Sequence, residues 1–151
     1  MSTGACELGV DAQRAPAPLE SLELGSQDLL AVFPPGTLAP RGAIGIDRLA
    51  EFALVTSPVG TSTRRLLDDA CADAGVTPQI AVVTEQREAI LPLVLAGAGA
   101  TLLARPLAET AQKLGAVIAP LRPRVSRTVY VLHRPGPLSP AAEAFLRIAG
   151  L

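Results

Sequence analysis

Apolar positions along this chain fall into short blocks cut apart by proline, glycine and polar clusters. Leu29-Leu30-Ala31-Val32-Phe33 is a continuous apolar run, stopped by Pro34-Pro35-Gly36. Such a run between breakers predicts a strand buried on both faces, as parallel sheets require. A second strand is predicted at Phe52-Ala53-Leu54-Val55-Thr56, after a single turn at Asp47-Arg48-Leu49-Ala50. From Thr63 to Ala74, helical spacing puts Leu66, Leu67, Ala70, Cys71 and Ala74 on one face, and Gly75 suits a left-handed exit. Ile80–Thr84 predicts a strand, and Glu85–Ala96 a helix that Pro92 should kink or break.

The alternation continues. Ala98–Ala104 reads as a strand, and Pro106 opens a helix ending at Leu114, with Gly115 past its end. Ala116–Ala119 and Thr128–Leu132 are further strands, and Ser139-Pro140 caps a last helix with Phe145 and Ile148 expected on its buried side. The opening third is loop-rich: Cys6–Asp11 suits a short strand, but Ala15-Pro16-Ala17-Pro18 cannot continue a helix or a central strand. Strand alternating with helix predicts an α/β fold with a parallel sheet.

Composition narrows the function classes. The 151 residues are 49% hydrophobic and 18% charged, with a net charge of −1, which suits one α/β domain or one and a fraction. Apolar runs are all interrupted well short of the roughly 20 residues of a membrane span. Met1–Glu7 lacks the basic-then-apolar profile of a signal peptide, so a cytoplasmic protein is expected. Thirteen basic residues against fourteen acidic ones do not make the basic face of a nucleic-acid binder. Arg122, Arg124, Arg127 and Arg134 read as a solvated edge. Cys6 and Cys71 have no CxxC spacing and His133 is the only histidine, so a four-ligand zinc site fails and two free thiols are expected. No cofactor is implied.

The richest stretch for binding is Ser57-Pro58-Val59-Gly60-Thr61-Ser62-Thr63, which leaves a buried strand and enters a helix. That is where α/β sheets expose ligand crevices. Gly60 allows close backbone approach, three hydroxyls follow it, and the helix supplies free N–H groups and a positive dipole end. A carboxylate or other small anion fits there, with Arg64 or Arg65 adding charge; the alternative, ranked second, is that the hydroxyls only cap the helix, which needs one of them. Thr84-Glu85-Gln86-Arg87 makes the same transition one unit later, as a second edge of the site or as a plain cap. Gly97-Ala98-Gly99 leaves a helix and opens a strand, the reverse of a dinucleotide-binding loop, so these are helix-terminating and close-packing glycines. No catalytic set is visible: there is no G-x-S-x-G, Asp68 and Asp69 diverge on a helix, and His133 sits at a strand end. The chain is not expected to be an enzyme.

In order and spacing these motifs resemble the carboxy-terminal effector-binding domain of LysR-type transcriptional regulators, over roughly its last two-thirds. Glu7-Leu8-Gly9-Val10, Asp28–Pro34 and Leu49–Val55 carry the likeness, with the helix Arg64–Gly75. Leu93–Leu103 is the most specific piece, and Tyr130–Arg134 and Leu138–Leu146 complete the series. Pro92 and Ala104 depart from the family pattern.

The resemblance implies an α/β, periplasmic-binding-protein-like (type 2) fold with a partly parallel sheet, in which two subdomains hold a small-molecule effector. On that pattern 1–25 ends the first subdomain and crosses over, 26–117 is the complete second subdomain, and 118–151 returns to an incomplete first. The positions matching effector contacts are Ser57, Pro58, Gly60, Thr61 and Ser62, with Thr84 near the hinge. The family's DNA-binding helix-turn-helix is not in this sequence, so the expectation is an excised or truncated piece that makes no direct DNA contact. Loss of part of the first subdomain predicts exposed edges and self-association into a dimer or higher oligomer. The expected partner is a small, anionic metabolite; the competing expectation is a ligand-free module that forms mixed oligomers with full-length relatives.

Overall fold

Successive side chains of the Leu29–Phe33 run enter two different cores. The computed structural model describes residues 6–38 and 40–151; residues 1–5, part of the stretch weighed as a signal peptide, lie outside them. The run is the end of a long strand, β2 (Glu20–Phe33), which follows a short β1 (Leu8–Asp11). Leu29, Ala31 and Phe33 belong to one buried cluster, Leu30 and Val32 to another. The period of two in a strand sorts them this way.

The chain divides into two compact units, one of Asp28–Ser126 and one made of the segments on either side of it. The central unit contains β3 (Ile44–Gly45), α1 (Ile46–Leu49), β4 (Ala53–Thr56), α2 (Ser62–Asp73) and β5 (Gln79–Val83). It continues through α3 (Arg87–Leu95), β6 (Thr101–Ala104), α4 (Arg105–Lys113) and β7 (Val117–Arg122). One cluster takes Leu67 and Cys71 from α2 with Ile46 and Leu49 from α1; the other takes Ile90 and Val94 from α3 with Ala108 and Ala111 from α4. Helices therefore cover both faces of β2. Phe33 and Phe52 meet at 4.9 Å between ring centroids.

Burial on both faces of Leu29–Phe33 was legible in the pattern, but strand direction was not. β2 pairs antiparallel with both β6 and β7. Among the described residues, parallel pairing joins β3 with β7 and β4 with β5, with a bridge between Leu54 and Ala100. Periodicity reports which faces are buried; direction depends on how the connections run. β7 lies within the central unit, held between β2 and β3.

Of the kink or break expected at Pro92, the break does not occur: the proline lies inside α3. The proline removes one N–H donor near the end of a short helix. The exit is then closed by Ala96 N–H on Pro92 O at 2.9 Å and Ala98 N–H on Leu93 O at 3.0 Å.

In the outer unit, β1 pairs antiparallel with β8 (Ser126–His133), Leu8 facing His133. α5 (Pro140–Ala149) follows and ends at Gly150 in the left-handed region, φ 77°. Ser139 caps it, its Oγ accepting from Ala142 N–H at 3.2 Å. The Glu7 carboxylate in turn accepts from Ser139 N–H at 2.6 Å and from its hydroxyl at 2.7 Å. The expected burial of Phe145 and Ile148 is wrong: they are 45% and 87% exposed. Ala142 is the buried residue of this helix, and Leu146 and Ala149 continue its stripe as half-buried positions. α5 is apolar on more than one side, and periodicity alone did not say which side packs. Among the described residues no helix is long and apolar enough to cross a membrane.

Candidate functional site

β4 ends at the buried Thr56, and the chain leaves the sheet through Ser57-Pro58-Val59-Gly60 before entering α2. Gly60 holds a φ of 97°, which a side chain at that position would strain. The turn closes on the Pro58 carbonyl, which accepts from Thr61 N–H at 3.2 Å and from the Thr61 hydroxyl at 2.9 Å. The Ser57 hydroxyl lies 2.6 Å from Thr61 Oγ1. Since the Thr61 proton goes to Pro58, Ser57 is the donor of that pair.

Thr61 is the N-cap residue of α2, and its carbonyl accepts from Arg65 N–H at 3.0 Å. Its side chain makes no capping bond. Of the two sequence alternatives, a Thr61 hydroxyl cap is therefore not what the loop builds. The first-turn N–H groups of Ser62, Thr63 and Arg64 have no intrahelical acceptor, as at any helix start. No acidic residue sits in that turn, so the positive end of the helix dipole is not offset there. The two arginines divide. Arg64 Nε lies 2.9 and 3.1 Å from the Asp68 carboxylate oxygens, while Arg65 Nη2 lies 3.5 Å from the Gly60 carbonyl, beside the loop.

Thr84 stands at the end of β5, which runs parallel to β4. Its N–H donates to Thr56 O at 3.0 Å, so the two strand ends are joined at the base of both loops. The Thr84 hydroxyl accepts from Gln86 N–H at 3.1 Å, a local turn ahead of α3. Ser57, Pro58, Gly60, Thr61 and Ser62 thus form one continuous loop, and Thr84 lies at the same edge. Thr56, Thr63 and Thr101 line a cavity of about 10 Å³ under the first turn of α2, room for one water. Thr56 and Thr101 were not singled out from the sequence, where a threonine ending or opening an apolar strand gives no signal.

The other candidates have partners of their own. Gly99 has φ 153°, and a Cβ there would strike the Ala53 carbonyl. Close approach lets Ala100 N–H reach Ala53 O at 2.8 Å and Val55 N–H reach Ala100 O at 2.8 Å. Gly97 closes the exit of α3, its N–H on Val94 O at 3.0 Å, and Gly99 serves strand assembly. His133 Nδ1 donates to Arg134 O at 2.8 Å, and its Nε2 is 3.5 Å from Glu20 Oε2. Cys71 is buried, which pushes its thiol up from the ordinary value, with Asp68 adding to the effect. No cluster of three or more metal-ligating side chains occurs among the described residues.

The family of LysR substrate binding domains matches residues 3–150. This chain belongs to that family. LysR substrate-binding domains of known structure superpose on it closely. The effector-binding domain of QuiR, in complex with shikimate, matches with a TM-score of 0.85 and 21% identity, over 98% of this chain and 72% of that one. The Synechocystis PCC6803 CcmR regulatory domain, in complex with 2-PG, gives 0.80 and 19%, over 99% and 74%. CbnR, a LysR family transcriptional regulator, gives 0.78 and 18%, and this chain spans 53% of its length. At these identities the likeness is one of fold, the periplasmic-binding-protein-like α/β type. The chain is an effector-binding domain of the LysR type.

Proposed function

We propose that this LysR-type domain senses a small anionic metabolite at the loop Ser57–Ser62, with Thr84 beside it. The supporting observation is the start of α2: a turn opened by Gly60, free N–H groups without a Thr61 side-chain cap, no acidic residue, and Arg65 alongside. Carboxylates and phosphates are the ligands such a helix start favours. Binding would shift the conformational equilibrium of the domain, which a full regulator converts into altered DNA binding. The chain itself then makes no DNA contact, catalyses no reaction, and works in the cytoplasm.

Ser62→Pro tests this directly. Proline is accepted at the first helical position, and Thr61 at φ −74° and ψ 153° already has the backbone a following proline needs. The substitution deletes one N–H and one hydroxyl while keeping the helix. Native mass spectrometry and thermal shift against a panel of small carboxylates and phosphates, shikimate included, should find a saturable ligand. Its affinity should fall about tenfold in the variant, the equivalent of about 1.4 kcal/mol. No ligand in the panel, or an unchanged affinity, would sink the reading.

A second reading has one observation of its own. Phe145, Ile148 and Leu151 at the end of the chain are exposed apolar groups, suited to association with another chain. In that reading the domain binds no metabolite and forms mixed oligomers with full-length relatives. Pull-down with such a relative, with and without ligand, separates the two.

A further inference from the structure

A second concavity of the central unit lies at the far end of α2, about 16 Å along the helix axis from Ser62. It measures about 160 Å³ and is built wholly within Asp28–Ser126. Its wall is apolar where Ile46 at the start of α1, Ala70 and Ala74 at the end of α2, and Pro123 and Val125 after β7 come together. An apolar cavity of about 150 Å³ holds a molecule the size of benzene, so this one has room for a short aliphatic body.

Two charged residues complete the lining, Asp73 and Arg124, one of each sign. They do not pair with each other. Asp73 has no hydrogen-bond or ion-pair partner among the described residues. It ends α2, whose last turn carries no basic residue, so the negative end of that helix dipole is not offset. Arg124 Nε donates to Asp28 Oδ1 at 2.6 Å, and the other oxygen of Asp28 lies 3.4 Å from Arg105 Nη2. One carboxylate thus answers two guanidinium groups, and one positive charge of the three groups is not offset.

We propose that this pocket is a second ligand site and that it takes a small aliphatic α-amino acid. The ammonium group sits at Asp73 and the end of α2, the carboxylate at Arg124, and the side chain against Ile46, Ala70 and Val125. A ligand with a single charge would leave the opposite charge of the wall unanswered. That separates its class from the anions suited to the Ser57–Ser62 loop, and the site does not rest on the reading of that loop.

Amide NMR of the full chain, titrated with L-valine and L-leucine, tests this. Saturable shifts are expected at the Ile46, Ala70 and Ala74 amides. Isocaproate lacks the ammonium group of leucine and isopentylamine lacks its carboxylate; each should bind at least about tenfold more weakly, since a charged hydrogen bond is lost. Asp73→Asn should weaken L-leucine by about the same factor. Ala74→Leu fills the pocket and should abolish the shifts. Both positions are exposed, so the fold should be kept. No saturable shift with either amino acid overturns the proposal, as do shifts confined to Ser57–Ser62, or equal affinity for L-leucine in the parent chain and in Asp73→Asn.

Discussion

Ser57 donates its hydroxyl proton to Thr61, 2.6 Å away, because Thr61 has already given its own to the Pro58 carbonyl. Both hydroxyls are therefore occupied in holding the loop. The backbone N–H groups that follow are left without a Thr61 side-chain cap. Thr61→Val keeps the side-chain volume and deletes both bonds. We expect the start of α2 to fray, with Arg65 amide exchange about tenfold faster, since each lost bond is worth about 1 kcal/mol. Protection in β6 should not change; a uniform loss across the chain would show that the loop has no local role.

Gly99 and Gly97 give contrasting substitutions. At Gly99 a methyl group would strike the Ala53 carbonyl, which cannot move without releasing the Ala100 bond. At Gly97, φ is 91° but the space around a Cβ is open. Gly99→Ala should cost about 2–4 kcal/mol in denaturant unfolding, and Gly97→Ala only the backbone strain of about 1–2 kcal/mol. Equal losses would contradict the close approach.

Two carboxylates make stability depend on pH. Bonds from the Ser139 hydroxyl and N–H hold Glu7 below its ordinary value, and Arg124 beside Asp28 does the same there. A carboxylate held low in the fold stabilises it above the unfolded value of about 4, and that contribution disappears as pH falls through the lowered one. Tm should be flat from about pH 7 to 5 and fall below about 4. Glu7→Gln should lower Tm at neutral pH and flatten the acid fall in calorimetry. A parent profile indistinguishable from that variant would refute the role of Glu7.

The outward face of α5 predicts association. Phe145→Glu with Ile148→Glu places charge on two exposed apolar positions and leaves Ala142 packed. Light scattering should show the parent chain as a dimer or larger and the variant shifted toward monomer, with helix content unchanged. A parent chain that is monomeric at high concentration would remove this surface from consideration.

Local pattern determined a large part of this protein. Apolar blocks and breakers located the later strands and helices to within a few residues, because burial and turn chemistry act over short stretches. The loop Ser57–Ser62 was legible for the same reason: strand, glycine, hydroxyls and helix are adjacent in sequence. The order of motifs identified the family that the comparison over residues 3–150 supports.

What remained belonged to contacts between distant segments. The first half of β2 carries polar residues that fit a strand only beside its partners, and the sequence showed only Leu29–Phe33. Antiparallel pairing of β2 and the outward turn of Phe145 depend on what lies across the chain. That the Thr61 hydroxyl does not cap α2, and that Arg65 is the arginine beside its loop, was settled by Pro58 and Asp68 taking the alternatives. Gln27 with Arg127 and Asp28 with Arg124 lie about a hundred positions apart in sequence. Spacing cannot pair such residues, because only the folded sheet brings them together.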